Sequence, residues 1–151
     1  MKTSFFKKTV ACLLFSLIFS CNNDSETIEN QIILGTWHVV AIHSSSPTGL
    51  TLGPNTEEVI SIIFPRNGEF MGTTSVNSFG GRSSSTENML FIEEMVTTEV
   101  ADTSFGQAFY DAFNESINSE TGFSEFEIAV QDEDELNLEH NGFKFLTLQR
   151  Q

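Results

Sequence analysis

The chain has 151 residues, of which 39% are hydrophobic, and this is enough for one compact domain rather than two. It has 7 Lys and Arg residues against 21 Asp and Glu residues, which gives a formal net charge of −14. A surface this acidic repels phosphate groups, which excludes nucleic-acid binding and, without a covalent anchor, adsorption to anionic lipid.

The first 20 residues are typical of an export signal. Three lysines lie within the first eight residues, and residues 9–19 form an apolar run that is too short to cross a bilayer as a permanent helix. Residues 17–21 resemble a bacterial lipoprotein signal, in which Cys21 becomes the acylated first residue of the mature chain. An ordinary signal peptide or an N-terminal anchor helix is the alternative. We predict a lipoprotein signal peptide over 1–20, which is removed, and a lipidated flexible tether over 21–31.

Lipidation of Cys21 determines the expected location and partner. Several acyl chains hold a protein on a membrane almost irreversibly, since each buried CH₂ contributes roughly 0.8 kcal/mol. We expect a lipid-anchored protein of the bacterial cell envelope, on the outer membrane, with its domain in the periplasm or at the cell surface. Cys12 leaves with the signal peptide, so the mature domain has no thiol for a disulfide, a metal or a nucleophile.

From residue 32 onward, short β-type runs alternate with turn signals. The strands predicted before the helix cover residues 32–43, 58–64, 69–75 and 89–97, with loops or turns over 44–55, 65–68 and 79–85. In the first strand the face of Trp37 and Ala41 is apolar, and so is the opposite face with Ile42. Apolar residues on both faces predict burial on both sides.

One amphipathic helix follows these strands. Apolar residues recur at helical spacing from Phe105 to Ile117, and three phenylalanines share one face. Ser104 and Gln107 have the spacing of a capping box, which predicts that the helix begins at Ser104. Asp102 lies just ahead, where a carboxylate interacts favourably with the helix dipole. We expect the phenylalanine face to cover part of the sheet or to plug an open end.

The remaining strands are predicted over 123–130, 136–140 and 143–149. The Asn-Gly pair between the last two is typical of a two-residue hairpin loop, because both residues tolerate positive φ. This loop places His140 opposite Phe143, and Glu139 opposite Lys144 as an opposite-charge pair. The chain is predicted to be mainly β (α+β), with about seven strands in a strongly curved antiparallel sheet or small β-barrel-like domain, and one amphipathic helix packed on it.

Several motifs then occur in a familiar order. Residues 67–81 contain a glycine turn, a strand and Asn-x-aromatic-x-Gly, and residues 97–101 are a Thr-Thr-Glu-Val-Ala stretch ahead of the helix. With Leu-Gly-Thr-Trp at 34–37 and the closing hairpin, this order resembles the META domain family, which includes HslJ-like heat-inducible envelope proteins of bacteria. The resemblance covers nearly all of the predicted domain, 32–151, and its motif positions here are Trp37, Gly68, Gly72, Asn77, Phe79, Gly81, Thr98 and Ala101.

The resemblance implies a small, curved β-barrel-like fold with a helix, a link to stress tolerance in the envelope, and no defined biochemical activity. Family members often have cysteines where Val76 and Asp102 stand, so a disulfide is not expected here. From the residues themselves, the glycines suit turns and bulges of a bent sheet. Asn77 is expected to hydrogen-bond backbone in its own turn, with ligand contact as the alternative.

No pattern in the sequence indicates catalysis or a metal. His38 and His43 lie five positions apart, on opposite faces of a strand, and His140 is expected at a hairpin end. A calcium loop that starts at Asp132 would need Gly where Asn137 stands, so this acidic run is expected to be a solvated turn. Nucleophile-elbow, zinc-protease and phosphate-loop motifs are absent from the sequence. We predict no enzyme activity, no catalytic residue, no cofactor and no metal.

The sequence leaves three functions to compare. The first is a membrane-anchored lipoprotein with a META/HslJ-like domain, a non-enzymatic stress-response or interaction module of unknown molecular activity whose partner is a protein or a small apolar ligand. The alternative is a lipocalin-like carrier of a small apolar ligand, which the Gly35-x-Trp37 start and the many phenylalanines motivate. The third is an enzyme, which would need converging carboxylates or histidine in a cleft.

Overall fold

Nine strands and one helix form the part of the chain that the computed structural model describes, residues 30–44 and 49–151. They are β1 (Gly35–His43), β2 (Thr51–Leu52), β3 (Ser61–Phe64), β4 (Glu69–Thr73), β5 (Ser78–Ser85), β6 (Met89–Thr97), α1 (Ser104–Glu115), β7 (Ser124–Val130), β8 (Glu135–His140) and β9 (Lys144–Arg150). The predicted signal peptide, Cys21 and most of the predicted tether lie outside the described residues. Within those residues no helix has the length and apolar character that a membrane crossing requires.

The strands form a closed antiparallel barrel. Neighbours run in the order β1-β3-β4-β5-β6-β7-β8-β9, and β9 pairs back with β1. β2 lies outside this ring and pairs with the end of β1, with Leu52 opposite Ile42. The prediction of a small antiparallel barrel with one helix is confirmed. A barrel of eight strands has an interior just wide enough for side chains to fill.

Strand β5 occupies a segment that the sequence analysis interpreted as a turn region, and that interpretation is wrong. Its glycines lie where the backbones of neighbouring strands come too close for a side chain. A Cβ on Gly81 would collide with the carbonyl oxygen of Glu94, and a Cβ on Gly72 of β4 would collide with that of Ser61. Glycine inside a strand often marks such a close approach, so this composition reflects tight curvature.

Strand β1 is buried on one face, not on both as predicted. Trp37, Val39 and Ile42 are buried, whereas Ala41 is only half-buried. The pairing with β9 shifts by one residue between Val39 and Ala41. A bulge of this kind inserts an extra residue, so the residues after it change faces. The bulge brings Ile42 onto the same inward face as Trp37.

The hairpin between β8 and β9 is one residue out of the predicted register. His140 pairs with Lys144 and Glu139 with Phe145, so the loop has three residues and the predicted Glu139–Lys144 pair does not form. Leu146 and Leu148 are thereby fully buried opposite Leu138 and Leu136. Phe143, by contrast, is 83% exposed in the loop. Because a slip of one residue exchanges the two faces of a strand, burial of the leucines decides the register.

Helix α1 lies across one end of the barrel. Phe109 contacts Phe79 of β5, Phe113 contacts Phe126 of β7, and the helix also packs on β1 and β9. Since β5 and β9 are on opposite sides of the ring, the helix spans the opening. Thr103, not the predicted Ser104, is the N-cap, and its side chain accepts a hydrogen bond from the Gly106 N–H. Ile117 follows the helix and is half-exposed, so it is not on the buried face.

Aromatic rings occupy the interior as a continuous row. In order of contact the rings are Phe64, Phe70, Phe79, Phe109, Phe113, Phe126 and His140, with neighbouring centroids 4.7–6.3 Å apart. Each buried phenylalanine contributes roughly 1.5–3 kcal/mol of hydrophobic stabilisation. The barrel is therefore held together by a packed aromatic core.

The domain includes two residues that the sequence analysis placed in the tether. Asn30 is buried, its backbone N–H donates to Ser85, and its side-chain amide donates to the carbonyl of Glu87. Arg66 donates to the side chain of Gln31. These hydrogen bonds, to the end of β5, the loop that follows it and the turn before β4, hold Asn30 and Gln31 against the barrel.

Candidate functional site

Asn77 connects two loops at the helix end of the barrel. Its amide nitrogen donates to the carbonyl of Val100 at 2.8 Å and to the carboxylate of Asp102 at 2.9 Å. Its amide oxygen accepts from the Thr98 hydroxyl at 2.8 Å and from the Val100 N–H at 3.1 Å. The prediction placed these bonds within its own turn, but they reach the segment between β6 and α1. With its amide bonded on both sides and buried, Asn77 acts structurally.

Thr74 and Asp102 complete this connection. The Thr74 hydroxyl accepts from the Asn77 N–H and donates to the Asp102 carboxylate at 2.6 Å. The second carboxylate oxygen accepts from the Thr103 N–H at 2.8 Å. Burial raises the pKa of the Asp102 carboxyl, but hydrogen bonds from Thr74, Asn77 and Thr103 outweigh burial and hold the pKa below its ordinary value. Asp102 therefore joins the start of α1 to the loop between β4 and β5.

The other motif residues lie in the framework of the barrel. Gly68 has a φ of +77° in the turn before β4, and Phe79 is buried beneath the helix. Trp37 donates its indole N–H to the carbonyl of Ile33 at 2.7 Å. Ala101 is exposed in the loop before α1. Together with Gly72 and Gly81, these residues shape turns, close strand contacts and core packing.

His140 is the last residue of β8, at the hairpin end where the sequence predicted it. The burial of its side chain was not predicted. The imidazole is only 6% exposed and lies edge-on to Phe126 at 5.6 Å. Its Nδ1 finds no hydrogen-bond partner among the described residues. Buried polar atoms in folded proteins are nearly always hydrogen-bonded, so this nitrogen needs an explanation.

An open cavity of about 460 Å³ lies against His140 on the outside of the barrel. Its lining comprises Met89, Ser116, Ile117, Asn118, Ser119, Glu125, Glu127, Glu139, His140, Asn141 and Gly142. These residues come from β6, β7, β8, the loop after α1 and the hairpin loop. Among the described lining residues there are three glutamates and no lysine or arginine. We call this space the end cavity.

The two glutamates in the middle of the end cavity are held next to each other. Glu127 of β7 and Glu139 of β8 are direct cross-strand partners. Neither carboxylate makes a hydrogen bond or ion pair within the described part of the chain. Glu125, in contrast, accepts from Asn118 and Thr121. Like charges directly opposite each other destabilise a sheet, so the pair favours a cation between or above the two carboxylates.

A smaller cavity of about 140 Å³, which His140 also lines, lies between α1 and the strands β1, β2, β8 and β9. His43, Glu115 and Lys144 line it, and the last two form an ion pair at 2.8 Å. Burial lowers the pKa of the His140 imidazole; Glu115 opposes this effect and Lys144 adds to it. The net pKa lies below its ordinary value, so His140 is neutral at neutral pH.

The two buried serines next to the end cavity are engaged in hydrogen bonds. The hydroxyls of Ser116 and Ser124 both donate to the carbonyl of Phe113 at 2.8 Å. Among the described residues no group of three or more His, Cys, Asp or Glu side chains could hold one metal ion. The end cavity is thus an open recess lined mainly by polar and acidic residues.

These glutamates were not singled out from the sequence, because the sequence alone does not show which carboxylates converge in a cleft. One signal was present: in β7 the glutamates alternate with Phe126 and Ile128, which predicts glutamates on the outer face of the strand. Their pairing with Glu139 depends on the register between β7 and β8, across a four-acid turn. The local sequence pattern alone does not determine the register of a hairpin across such a turn.

The comparisons with known proteins concern the fold. No protein-family model matches the chain, and no curated protein matches it. Two solved structures are similar. The NMR structure of a protein from Burkholderia xenovorans has a TM-score of 0.58 and 16% identity, covering 78% of this chain and 81% of that one. An uncharacterized protein from Bacteroides eggerthii has a TM-score of 0.44 and 16% identity, covering 77% and 98%. The first likeness shows that this fold also occurs in the protein from Burkholderia xenovorans.

Proposed function

We propose that the protein is a membrane-tethered lipoprotein of the bacterial envelope whose META-type barrel is a non-enzymatic binding module. The observation that supports binding is the end cavity, an open recess of about 460 Å³ whose lining includes the unpaired carboxylates of Glu127 and Glu139. The resemblance of the ordered motifs to the META domain family supports a stress-linked role. The module then holds a ligand or partner near the membrane on which the lipid is anchored.

Two features of the sequence support the membrane tether, namely Cys21 and the acidic charge of the chain. The lipoprotein-type segment ends at Cys21, and the residues between it and Asn30 are polar and acidic. The net charge of −14 disfavours direct contact with anionic lipid, so acyl chains are the means of attachment. The acidic barrel then stands away from the bilayer with its cavity open to solvent.

The hydrogen bonds of the serine and carboxylate side chains support a non-enzymatic role. Ser116 and Ser124 donate to the same carbonyl, so neither hydroxyl is held by a base. Asp102 is engaged by three donors, and Glu125 by two. Glu127 and Glu139 have no hydrogen-bond or ion-pair partner in the described part of the chain, which leaves both carboxylates open to a ligand. We therefore assign them to ligand binding.

A lipocalin-like carrier is the second candidate, and the closed eight-stranded barrel favours it. The aromatic row fills the interior, so an apolar ligand would need a different place. One such place is a recess of about 430 Å³ at the other end of the barrel, lined in part by Ile32 and Val130. The acidic lining of the end cavity makes the first candidate the better supported one.

The tether is tested by labelling. We expect the full-length chain, expressed in a Gram-negative host, to incorporate radiolabelled palmitate and to fractionate with membranes. Cys21→Ser should abolish both, because no other thiol remains after the signal peptide. Cys12→Ser is the matched control and should be labelled like the natural chain. Equal labelling of the Cys21→Ser variant, or none in the natural chain, would contradict the proposal.

A further inference from the structure

Exposed apolar side chains are concentrated on one side of the barrel. Among the described residues eleven large hydrophobic side chains are exposed, and six of them belong to β3, β4 and β6 or to the loops at the α1 end of these strands. These six are Val59, Ile63, Met71, Val76, Val96 and Val100. Single exposed hydrophobic residues are normal on a protein surface, whereas a cluster of them with a polar rim indicates an interaction site. We call this surface the outer patch.

The strand register places three of these side chains in one row. Ile63 of β3 pairs with Met71 of β4. Gly80 of β5 lies between Met71 and Val96 and pairs with both, so the row crosses four adjacent strands on the outer face. Because Gly80 has no side chain, the row has a notch in its middle. A shallow cavity of about 320 Å³ lies at this notch, lined in part by Gly80 and Val96.

The three exposed valines at the loop end belong to the same surface. They lie on three loops, residues 53–60, 74–77 and 98–103. The Val59 N–H donates to the Ser75 hydroxyl at 3.1 Å, which joins the first loop to the second. The Asn77 side chain binds both the N–H and the carbonyl of Val100, which joins the second loop to the third. These hydrogen bonds hold the valines on neighbouring loops at the end of the row.

The charges around the outer patch are mainly negative. Glu57 and Glu99 are exposed beside the valines, and the three loops contain no lysine or arginine. On the other side of the row, Arg82 stands between Glu69 and Glu94, its partners on the neighbouring strands. A second copy of this surface would bring like charges together, and an anionic membrane would be repelled. Charge complementarity therefore favours a partner that has basic residues beside an apolar surface.

The barrel also restricts how a partner can bind here. β4 and β5, in the middle of the outer patch, are each paired on both sides, so a partner cannot add a strand to either of them. Contact must then be made by side chains. The row crosses three strand spacings, about 14 Å, which corresponds to roughly two and a half turns of a helix. An amphipathic helix that lies across the strands matches this surface.

We propose that the outer patch binds a protein partner through an amphipathic helix with lysine or arginine residues beside its apolar face. An apolar side chain of this helix enters the notch at Gly80, between Met71 and Val96. The basic residues of the helix face Glu57 and Glu99. The outer patch shares no residue with the end cavity, so this inference goes beyond the proposed function and does not depend on it.

The test uses the full-length protein in phosphatidylcholine nanodiscs and a fluorescein-labelled helical peptide with leucines on one face and lysines on the other. We expect the fluorescence anisotropy of the peptide to show saturable binding above the level with empty nanodiscs. Met71→Gln and Val96→Thr should each weaken this binding roughly three- to tenfold, because they replace exposed apolar surface with polar groups of similar shape. Val130→Thr is the matched control, since it makes the same change at an exposed valine outside the outer patch.

The role of charge is tested with the same peptide. Combining Glu57→Gln with Glu99→Gln should weaken the binding roughly threefold at low salt, and a peptide with glutamates in place of the lysines should bind at least roughly tenfold more weakly. Combining Glu120→Gln with Glu133→Gln is the control, because it removes two exposed carboxylates elsewhere on the barrel and should leave the affinity unchanged.

The inference is overturned if the peptide binds no better than to empty nanodiscs, if Val130→Thr weakens binding as much as Val96→Thr, or if the acidic peptide binds equally well. A dimer of the protein that Met71→Gln abolishes would assign the outer patch to a second copy instead. Displacement of the peptide by phosphatidylglycerol vesicles from the protein, but not from Val96→Thr, would assign it to a lipid surface. Thermal unfolding shows that each variant is folded before it is compared.

Discussion

At the scale of single residues, Asp102 is a side chain that connects separate parts of the fold. Its carboxylate accepts hydrogen bonds from Thr74, Asn77 and Thr103, three residues from two separate loops. The sequence analysis assigned it only a favourable interaction with the helix dipole. The structure shows that it also connects the start of α1 to the barrel. The position is therefore important for stability.

We predict that Asp102→Ala lowers the free energy of unfolding by about 1–3 kcal/mol, because it leaves the Thr74 hydroxyl and the Thr103 N–H without an acceptor. Urea unfolding at neutral pH measures this loss. Glu99→Ala, an exposed carboxylate in the same loop, should change stability by less than about 0.5 kcal/mol. An equal effect of the two variants would contradict the role of Asp102.

The same carboxylate makes part of the stability depend on pH. Its folded pKa lies below its unfolded value, so its contribution is complete above the unfolded pKa and is lost as pH falls through the folded pKa. The stability difference between the natural chain and Asp102→Ala should therefore be constant near neutral pH. It should shrink as the pH is lowered below about 4. A difference that stays unchanged down to acid unfolding would show that the charge of Asp102 is not involved.

At the scale of elements, the pairing of β7 with β8 sets two like charges side by side. Glu127 opposes Glu139, whereas Arg82 opposes Glu94 in the pairing of β5 with β6. Both pairs lie on outer faces of the barrel. The first pair is unfavourable in the free protein and the second is weakly favourable.

We predict that Glu127→Gln stabilises the free protein by about 0.2–1 kcal/mol, because it removes the repulsion with Glu139. Urea unfolding at low salt measures the change, and added salt should reduce it. Glu94→Gln is the matched control and should be neutral or slightly destabilising, since it removes an exposed attraction to Arg82. A destabilised Glu127→Gln variant would mean that the two carboxylates do not repel each other in the folded protein.

At the scale of the whole molecule, closure of the barrel joins the two ends of the described chain. β9 pairs with β1, and Arg150 near the end of the chain donates to the carbonyls of Leu34 and Ile32. Its guanidinium also stacks on Trp37 at 4.2 Å. One side chain thus holds the approach to β1 and the edge of the core.

We predict that Arg150→Ala lowers the free energy of unfolding by about 1–3 kcal/mol, through loss of charge-assisted hydrogen bonds and of the contact with Trp37. Arg150→Lys should recover only part of this, because an ammonium lacks the planar fork that reaches two carbonyls. Chemical denaturation followed by Trp37 fluorescence measures both. Arg82→Ala is the control and should have a small effect, since its ion pair is exposed.

The parts of the fold that local patterns determine were predictable. The alternation in β6 and β7, the helical spacing of Phe105, Phe109 and Phe113, and the glycine turn at Gly68 all predict the elements that form. These signals depend on neighbours within a few residues along the chain. The barrel class followed from them, because many short antiparallel strands bury their apolar faces by curving around one core.

The tertiary structure alone decided the bulge in β1, the strand character of β5 and the register of the last hairpin. Each of these features depends on contacts between residues far apart in sequence. In β1, the pairing with β9 turns Ile42 inward, and in β5 the absence of a side chain on Gly81 leaves room for the backbone of β6. In the last hairpin, burial of Leu146 and Leu148 outweighs the two-residue turn that Asn-Gly favours. The end cavity belongs to the same group, since its lining residues meet only when β7, β8 and the loop after α1 come together. Local propensity differences are on the order of 1 kcal/mol, and long-range burial in the core exceeds them.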